Sequence, residues 1–245
     1  MTRLTAFRFA LLAHQRGQSM IEFIVVLPAL IFLVFGIIQW ALIYQARNTL
    51  NHAAFLAARA GALHNGSTVE MSSGLAAGLA PLFASQASVD GYNAAIARAA
   101  ADIAQGTATI QILNPTQEVM QDFQRPRLDD ATKQEIPNDT LSYRNSQPGT
   151  HSKISLQDAN ILHIRITYCY RLIVPLISNI IHAANSTSGA ALKVTGMTQP
   201  FGDIHATSVN DPCPTSSGAY PRIPLRTEAV TRMQSPFQFS PYSSP

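Results

Sequence analysis

The sequence predicts an α+β protein: a long N-terminal transmembrane helix continuing into a small domain built on an antiparallel sheet. Three observations carry this reading. Between Phe23 and Ala46 no residue is formally charged, and at ~1.5 Å per residue these ~24 positions cover the ~30 Å hydrocarbon core of a bilayer. Small and apolar residues then recur at three- and four-residue spacing as far as Gly61, the pattern of a helix with one packed face. Between Ile161 and Leu172 the spacing changes to alternation, the period of a half-buried strand.

Residues 1–17 form a basic leader with Arg3, Arg8 and Arg16 and no acid, too polar to span. The apolar run that follows is helical because only a helix satisfies its own backbone in lipid, and Pro28 within it removes one bond and favours a kink. Glu22 stands at the edge of the span, where an acid is costly unless it stays near the headgroups or meets a cation. Ala58-Arg59-Ala60 fits a secretory cleavage pattern. The apolar segment is too long for a signal sequence, however, and that site lies too far beyond it. The helix is expected to run from Met20 to Ala62, within a helical unit 18–62. Its stripe of Ala46, Leu50, Ala53, Ala54, Ala57, Ala60 and Gly61 allows close approach of a sheet or another helix. Charge leaves orientation open, since Arg47 and Arg59 follow the span with no acid before Glu70. The large polar remainder and the cysteines favour the leader inside and the bulk outside the cytoplasm.

Residues 63–233 make up the domain. His64-Asn65-Gly66-Ser67 reads as a break, and Val69–Phe83 as a helix interrupted by Gly74, Gly78 and Pro81. Asp90-Gly91 is expected to turn the chain into a helix over Tyr92–Gln105, stopped by Gly106. Thr107–Leu113 alternates as a strand, with Ala108, Ile110 and Ile112 on one face. Residues 114–158, polar and punctuated by Pro115, Pro126, Pro137 and Pro148, read as a long surface loop at the tip. In Ile161–Leu172 the apolar face is Ile164, Ile166, Tyr168, Tyr170 and Leu172. His163, Arg165, Thr167, Cys169 and Arg171 form the other face. The apolar stretch Val174-Pro175-Leu176-Ile177 with Ile180-Ile181 is too short to span; it is either a core turn or a patch lying on the bilayer. Ile223–Met233 is the last strand, and residues 234–245 read as a disordered tail.

The 245 residues hold one medium domain beside the anchor, and 13% charged residues against 47% hydrophobic ones is low for a freely soluble protein. A formal charge of +3 with scattered basic residues offers no nucleic-acid surface. Cys169 and Cys213, the only cysteines, form no CxxC pair. Outside the cytoplasm a disulfide between them is the natural reading, worth ~4 kcal/mol by the chain-entropy argument; the other is two buried thiols. The seven histidines show no HxxxH or HExxH spacing, so no metal site is expected. No GxSxG elbow or phosphate-binding glycine loop occurs, and Asp129-Asp130 with Glu135 read as a solvated loop rather than a catalytic pair. Neither an enzyme nor a cofactor is expected.

Arg16-Gly17, four residues, and then Glu22-Phe23 at the head of an apolar helix resemble the site cut by prepilin peptidases in type IV pilins and pseudopilins. In that family the cut follows the glycine, and the acid at the fifth mature position faces the new N-terminal amine of a neighbouring subunit. The resemblance therefore implies cleavage between Gly17 and Gln18, and an assembly role for Glu22 with Phe23. Adding Leu27-Pro28, Ala57-Ala58-Arg59-Ala60-Gly61, Ile223-Pro224-Leu225 and Arg232-Met233-Gln234-Ser235, the chain resembles TadE-type minor pseudopilins of tight-adherence (Flp, type IVb) pilus systems. Residues 16–62 carry most of this likeness. It implies a pilin-like fold, a place in the bacterial inner membrane, and lipid, a prepilin peptidase and other Tad inner-membrane components as partners. The rival reading is an unprocessed single-span binding or adhesion module. Glu22 would then be an interfacial anchor, and the 114–158 loop would meet a ligand.

Overall fold

A computed structural model describes residues 18–127, 130–174, 177, 178, 180, 181, 213 and 221–238. The leader and most of the stretch before the last strand lie outside the described residues.

Helix α1, Gln18–Leu63, is 46 residues long and runs unbroken through Pro28, about 69 Å at the standard rise. Its two halves differ in burial. The described side chains from Met20 to Phe35 are all exposed, whereas a buried face begins at Gln39 and continues through Ala46, Leu50, Ala53, Ala54, Ala57 and Ala58 to Ala62. Ala60, expected in that stripe, is only half-buried, and Ala58 and Ala62 join it instead.

Helix α2, Thr68–Phe83, starts on Ser67, whose hydroxyl accepts from the Glu70 amide, the first half of a capping box. Gly61 faces Met71, Gly74 faces Ala57 and Gly78 faces Ala53, so α2 runs antiparallel to α1. At Gly78 a Cβ would collide with the Cα of Ala53. The glycines that weaken α2 by propensity are what let it lie against the alanines of α1.

Helix α3, Val89–Asp102, packs on α2. Ser88 caps it by accepting from the Gly91 amide at 3.0 Å, so Asp90 and Gly91 lie in its first turn. This corrects the expectation of a turn there: the serine two residues earlier supplies the cap, and Asp90 complements the helix dipole. A π turn, Ile103–Thr107, ends the helix at Gly106, whose φ of 79° is the left-handed conformation expected of a stop.

Strand β1, Ala108–Asn114, then leads into the span expected as a surface loop. That span holds α4 (Gln117–Phe123), β2 (Arg125–Pro126) paired with β3 (Gln134–Glu135), a 3-10 turn at Leu141–Tyr143 and α5 (Leu156–Ala159). Val119, Met120, Ile136, Leu141 and Leu156 enter the core. Residues 114–158 are therefore a packed flank of the domain, because isolated apolar side chains in a polar stretch have nowhere else to leave water.

Strands β4, Ile161–Arg171, and β5, Arg222–Arg232, complete an antiparallel sheet of order β1-β4-β5. Ile166 pairs with Ile110 on one side and Thr227 on the other. Ile164, Ile166, Tyr168, Tyr170 and Leu172 are buried as the alternation predicts, Leu162 is buried with them, and α1 lies against β4 and β5. The expected tail from residue 234 is corrected over Gln234–Gln238. Phe237 is fully buried and bridges Ile136, and Asn65 donates to the Pro236 carbonyl at 2.7 Å. Residues 239–245 lie outside the described residues.

Candidate functional site

Among the described residues the exposed half of α1 is the most extensive bare apolar surface. Gln18 is its first residue, while Gly17 lies outside the described residues. Glu22 is exposed, as are Phe23, Ile24, Val25 and Val26 beside it. Leaving such side chains in water forfeits roughly 1.5–3 kcal/mol each, so this surface is built for lipid or for other protein. From Glu22 onward α1 is the one helix among the described residues long and apolar enough to cross a membrane, which fits single-pass anchoring. Among the described residues Glu22 has no ion pair, and it is the only formal charge between Gln18 and Ala46.

Where the exposed half meets the domain, Gln39 is fully buried. Its Oε1 accepts from the Val174 amide at 2.9 Å, and its Nε2 has no partner among the described residues. Trp40 and Tyr44 are exposed next to it. Val174 and Ile177 are buried, so this segment is packed on the molecule, while Ile173 and Ile180 point outward. Sequence reasoning passed over Gln39; the signal was there, since it is the only polar side chain between Phe23 and Trp40.

Cys169 and Cys213 form a disulfide with Cα atoms 5.5 Å apart. Alternation assigns Cys169 to the solvated face, yet it is buried. Close by, Asp102 at the end of α3 accepts from Arg222 at 2.8 Å, the Tyr168 hydroxyl at 3.0 Å and the Thr107 hydroxyl at 3.1 Å. Arg222 also donates to the Cys169 carbonyl at 2.8 Å. Burial, and after it the Asp102 carboxylate, pushes the Tyr168 hydroxyl well above its ordinary range. This knot ties the π turn to β4 and β5 and satisfies nearly buried charges rather than presenting them to a substrate.

The remaining polar groups are engaged in the same structural way. Asp122 accepts from the His151 ring at 2.7 Å and from the Ser152 amide and hydroxyl, each at 2.7 Å. Glu228 accepts from Arg165 at 2.7 Å and stands 2.9 Å from the His163 ring, on the partly exposed face of the sheet. Glu135, read from sequence as part of a solvated loop, is buried and paired with Arg125 at 3.2 Å. Pairing it to β2 draws it inward, whereas Asp129 lies outside the described residues. Among the described residues no group of three or more His, Cys, Asp or Glu is placed to hold a metal.

These features define a class: an α+β domain carried on a long helix whose first half is a bare apolar surface. A family model for TadE-like proteins matches residues 17–59, which is α1 up to its last turn together with the residue before it. No curated protein and no solved structure matches the chain. The matched segment includes Gly17, Gln18, Glu22 and Phe23, and the similarity supports a pilin-like role associated with Tad pili.

Proposed function

We propose that this chain is a minor pseudopilin of a tight-adherence pilus, held in the bacterial inner membrane by α1 with its domain on the far side from the cytoplasm. A prepilin peptidase cuts between Gly17 and Gln18. The Glu22 carboxylate then meets the new amine of Gln18 on a neighbouring subunit. Opposite charges a few ångströms apart in a low-dielectric setting attract strongly, so this contact sets the register of assembly. Phe23 and the apolar side chains after it exchange lipid for the same face of other subunits, and the domain is carried into the pilus or its base. Its partners are the peptidase and other Tad inner-membrane components, and its work is structural, as the pilus-component reading implies. Pilus assembly in turn supports adhesion to surfaces.

The observation that carries this reading is Glu22 itself: an exposed acid at the head of a long apolar helix, inside the TadE-like match. The test is intact mass and N-terminal sequencing of the protein from membranes, with and without a co-expressed prepilin peptidase. The expected result is a chain starting at Gln18 only when the peptidase is present. An intact chain in both samples overturns the reading in favour of an unprocessed anchor. Glu22→Ala is expected to be cut normally but to lower pilus assembly severalfold, whereas an interfacial anchor would tolerate the change.

A further inference from the structure

The segment after β4 rests on α1 at a level that can be compared with the thickness of a bilayer. From Glu22 to Gln39 is 17 residues, about 26 Å along the axis. A hydrocarbon core ~30 Å thick that begins at Glu22 therefore ends near residue 42, and helix tilt moves that boundary further toward the domain. Trp40 and Tyr44, both exposed, flank this level as the aromatic residues of a membrane–water interface do. Gln39 lies about 4 Å on the lipid side of the boundary, and the Val174 amide that donates to its side chain at 2.9 Å stands near that level.

Three features of the segment suit that depth. Its contact with α1 is a backbone amide satisfied by a side chain of the span, which is the condition for non-helical backbone near lipid. Gln39 turns its polar end into protein, fully buried, as polar residues within spans do. Ile173 and Ile180 remain 54% and 50% exposed although their neighbours Val174, Ile177 and Ser178 are buried. Outward isoleucines are wasteful in water and favourable in acyl chains.

We propose that Ile173 and Ile180, presented by the segment docked on Gln39, insert among the lipid acyl chains of the leaflet on the domain's side. They form a second membrane contact that seats the domain against the bilayer. The inference rests on the reading of α1 as a membrane span, part of the proposed function, and is independent of processing. The segment is bonded to Gln39 within the span, at a level inside the thickness of the hydrocarbon core, and that level identifies lipid as the occupant of its outward isoleucines.

Trp40 is the only tryptophan in the chain, so fluorescence separates the two readings. The full-length protein is reconstituted in phosphatidylethanolamine–phosphatidylglycerol vesicles, with or without phosphatidylcholine brominated on its acyl chains. Trp40 is measured in the native protein. Ile173→Trp, Ile180→Trp and, as a control, Phe55→Trp are each measured in a Trp40→Phe background. Ile173 and Ile180 are half-exposed, so the larger ring is accommodated outward. The expected result is loss of emission to brominated lipid for Ile173→Trp and Ile180→Trp comparable to that of Trp40, with none for Phe55→Trp. Unquenched, water-like emission from both variants beside a quenched Trp40 overturns the inference and leaves the span intact. Unquenched, blue-shifted emission that grows with the protein-to-lipid ratio overturns it in favour of a second copy of the chain. An unquenched Trp40 overturns the span, and the inference with it.

Discussion

Asp122 shows how one side chain organises a stretch that composition marks only as polar. Its carboxylate gathers the Ser152 amide and hydroxyl and both the amide and the ring of His151, and a Cβ at Gly149 would press on the carboxylate and the Ser152 hydroxyl. The Ser152 amide foremost, then His151 and the Ser152 hydroxyl, hold the carboxyl well below the usual carboxylate range against burial, an opposing effect second in size only to the Ser152 amide. A carboxyl depressed by folding contributes stability above its unfolded pKa of ~4, and that contribution is lost as pH falls from there toward the folded pKa. Asp122→Asn is therefore expected to lower the urea midpoint near neutral pH and to flatten its decline between pH ~4 and ~2, so that variant and native curves converge at the acid end. Curves that stay parallel across that range would remove Asp122 from this role. None of this was legible in the sequence, because Asp122 and its partners are about thirty residues apart and only the fold brings them together.

Among elements, the antiparallel contact of α1 with α2 depends on missing side chains. Gly78 lies so close to Ala53 that a Cβ would strike its backbone, whereas at Gly36 in the exposed half of α1 a Cβ meets nothing within 4 Å. The two glycines should therefore answer the same substitution with opposite signs. Gly78→Ala is expected to cost about 1–3 kcal/mol through overpacking, and Gly36→Ala to be neutral or to gain up to ~1 kcal/mol through helix propensity. Thermal unfolding in detergent, with both variants compared to the native chain, checks the pair. A neutral Gly78→Ala would mean that the helices are held further apart. The extents of both helices were readable from periodicity and from the break at His64-Asn65-Gly66-Ser67, but the purpose of the α2 glycines was not. Propensity counts them as defects, and only the facing alanines of α1 reveal them as contacts.

At the scale of the whole molecule, the core closes through parts of the chain that look peripheral. Ile136 comes from the middle of the polar span and Phe237 from beyond the last strand; both are fully buried, and they meet in an isolated bridge. Gly66, held at a φ of 76°, leaves the space that the Phe237 ring fills. Phe237→Ala is expected to cost about 3–5 kcal/mol in chemical unfolding, as for a fully buried aromatic. Deleting residues 234–245 should cost at least as much, since it also removes the Ser235 and Pro236 contacts to Asn65. A deletion with native stability would return those residues to the status of a tail.

The chain's own order of residues was enough to determine the long helix, the apolar half that requires lipid or subunits, the acid placed at its start, and the alternating strand at the centre of the sheet. Each depends on neighbours within a few turns or along one strand, so period and composition express it directly. Tertiary structure alone decided that Gln39 anchors the segment after β4, that Asp102 and Arg222 knot the sheet beside the disulfide, and that Val119, Met120, Ile136, Leu141, Leu156 and Phe237 belong to the core. The two hydrogen-bonded pairs among those contacts lie 135 and 120 positions apart, and the value of all of them comes from the water that closure excludes. A local pattern carries no trace of that exclusion until the chain has closed.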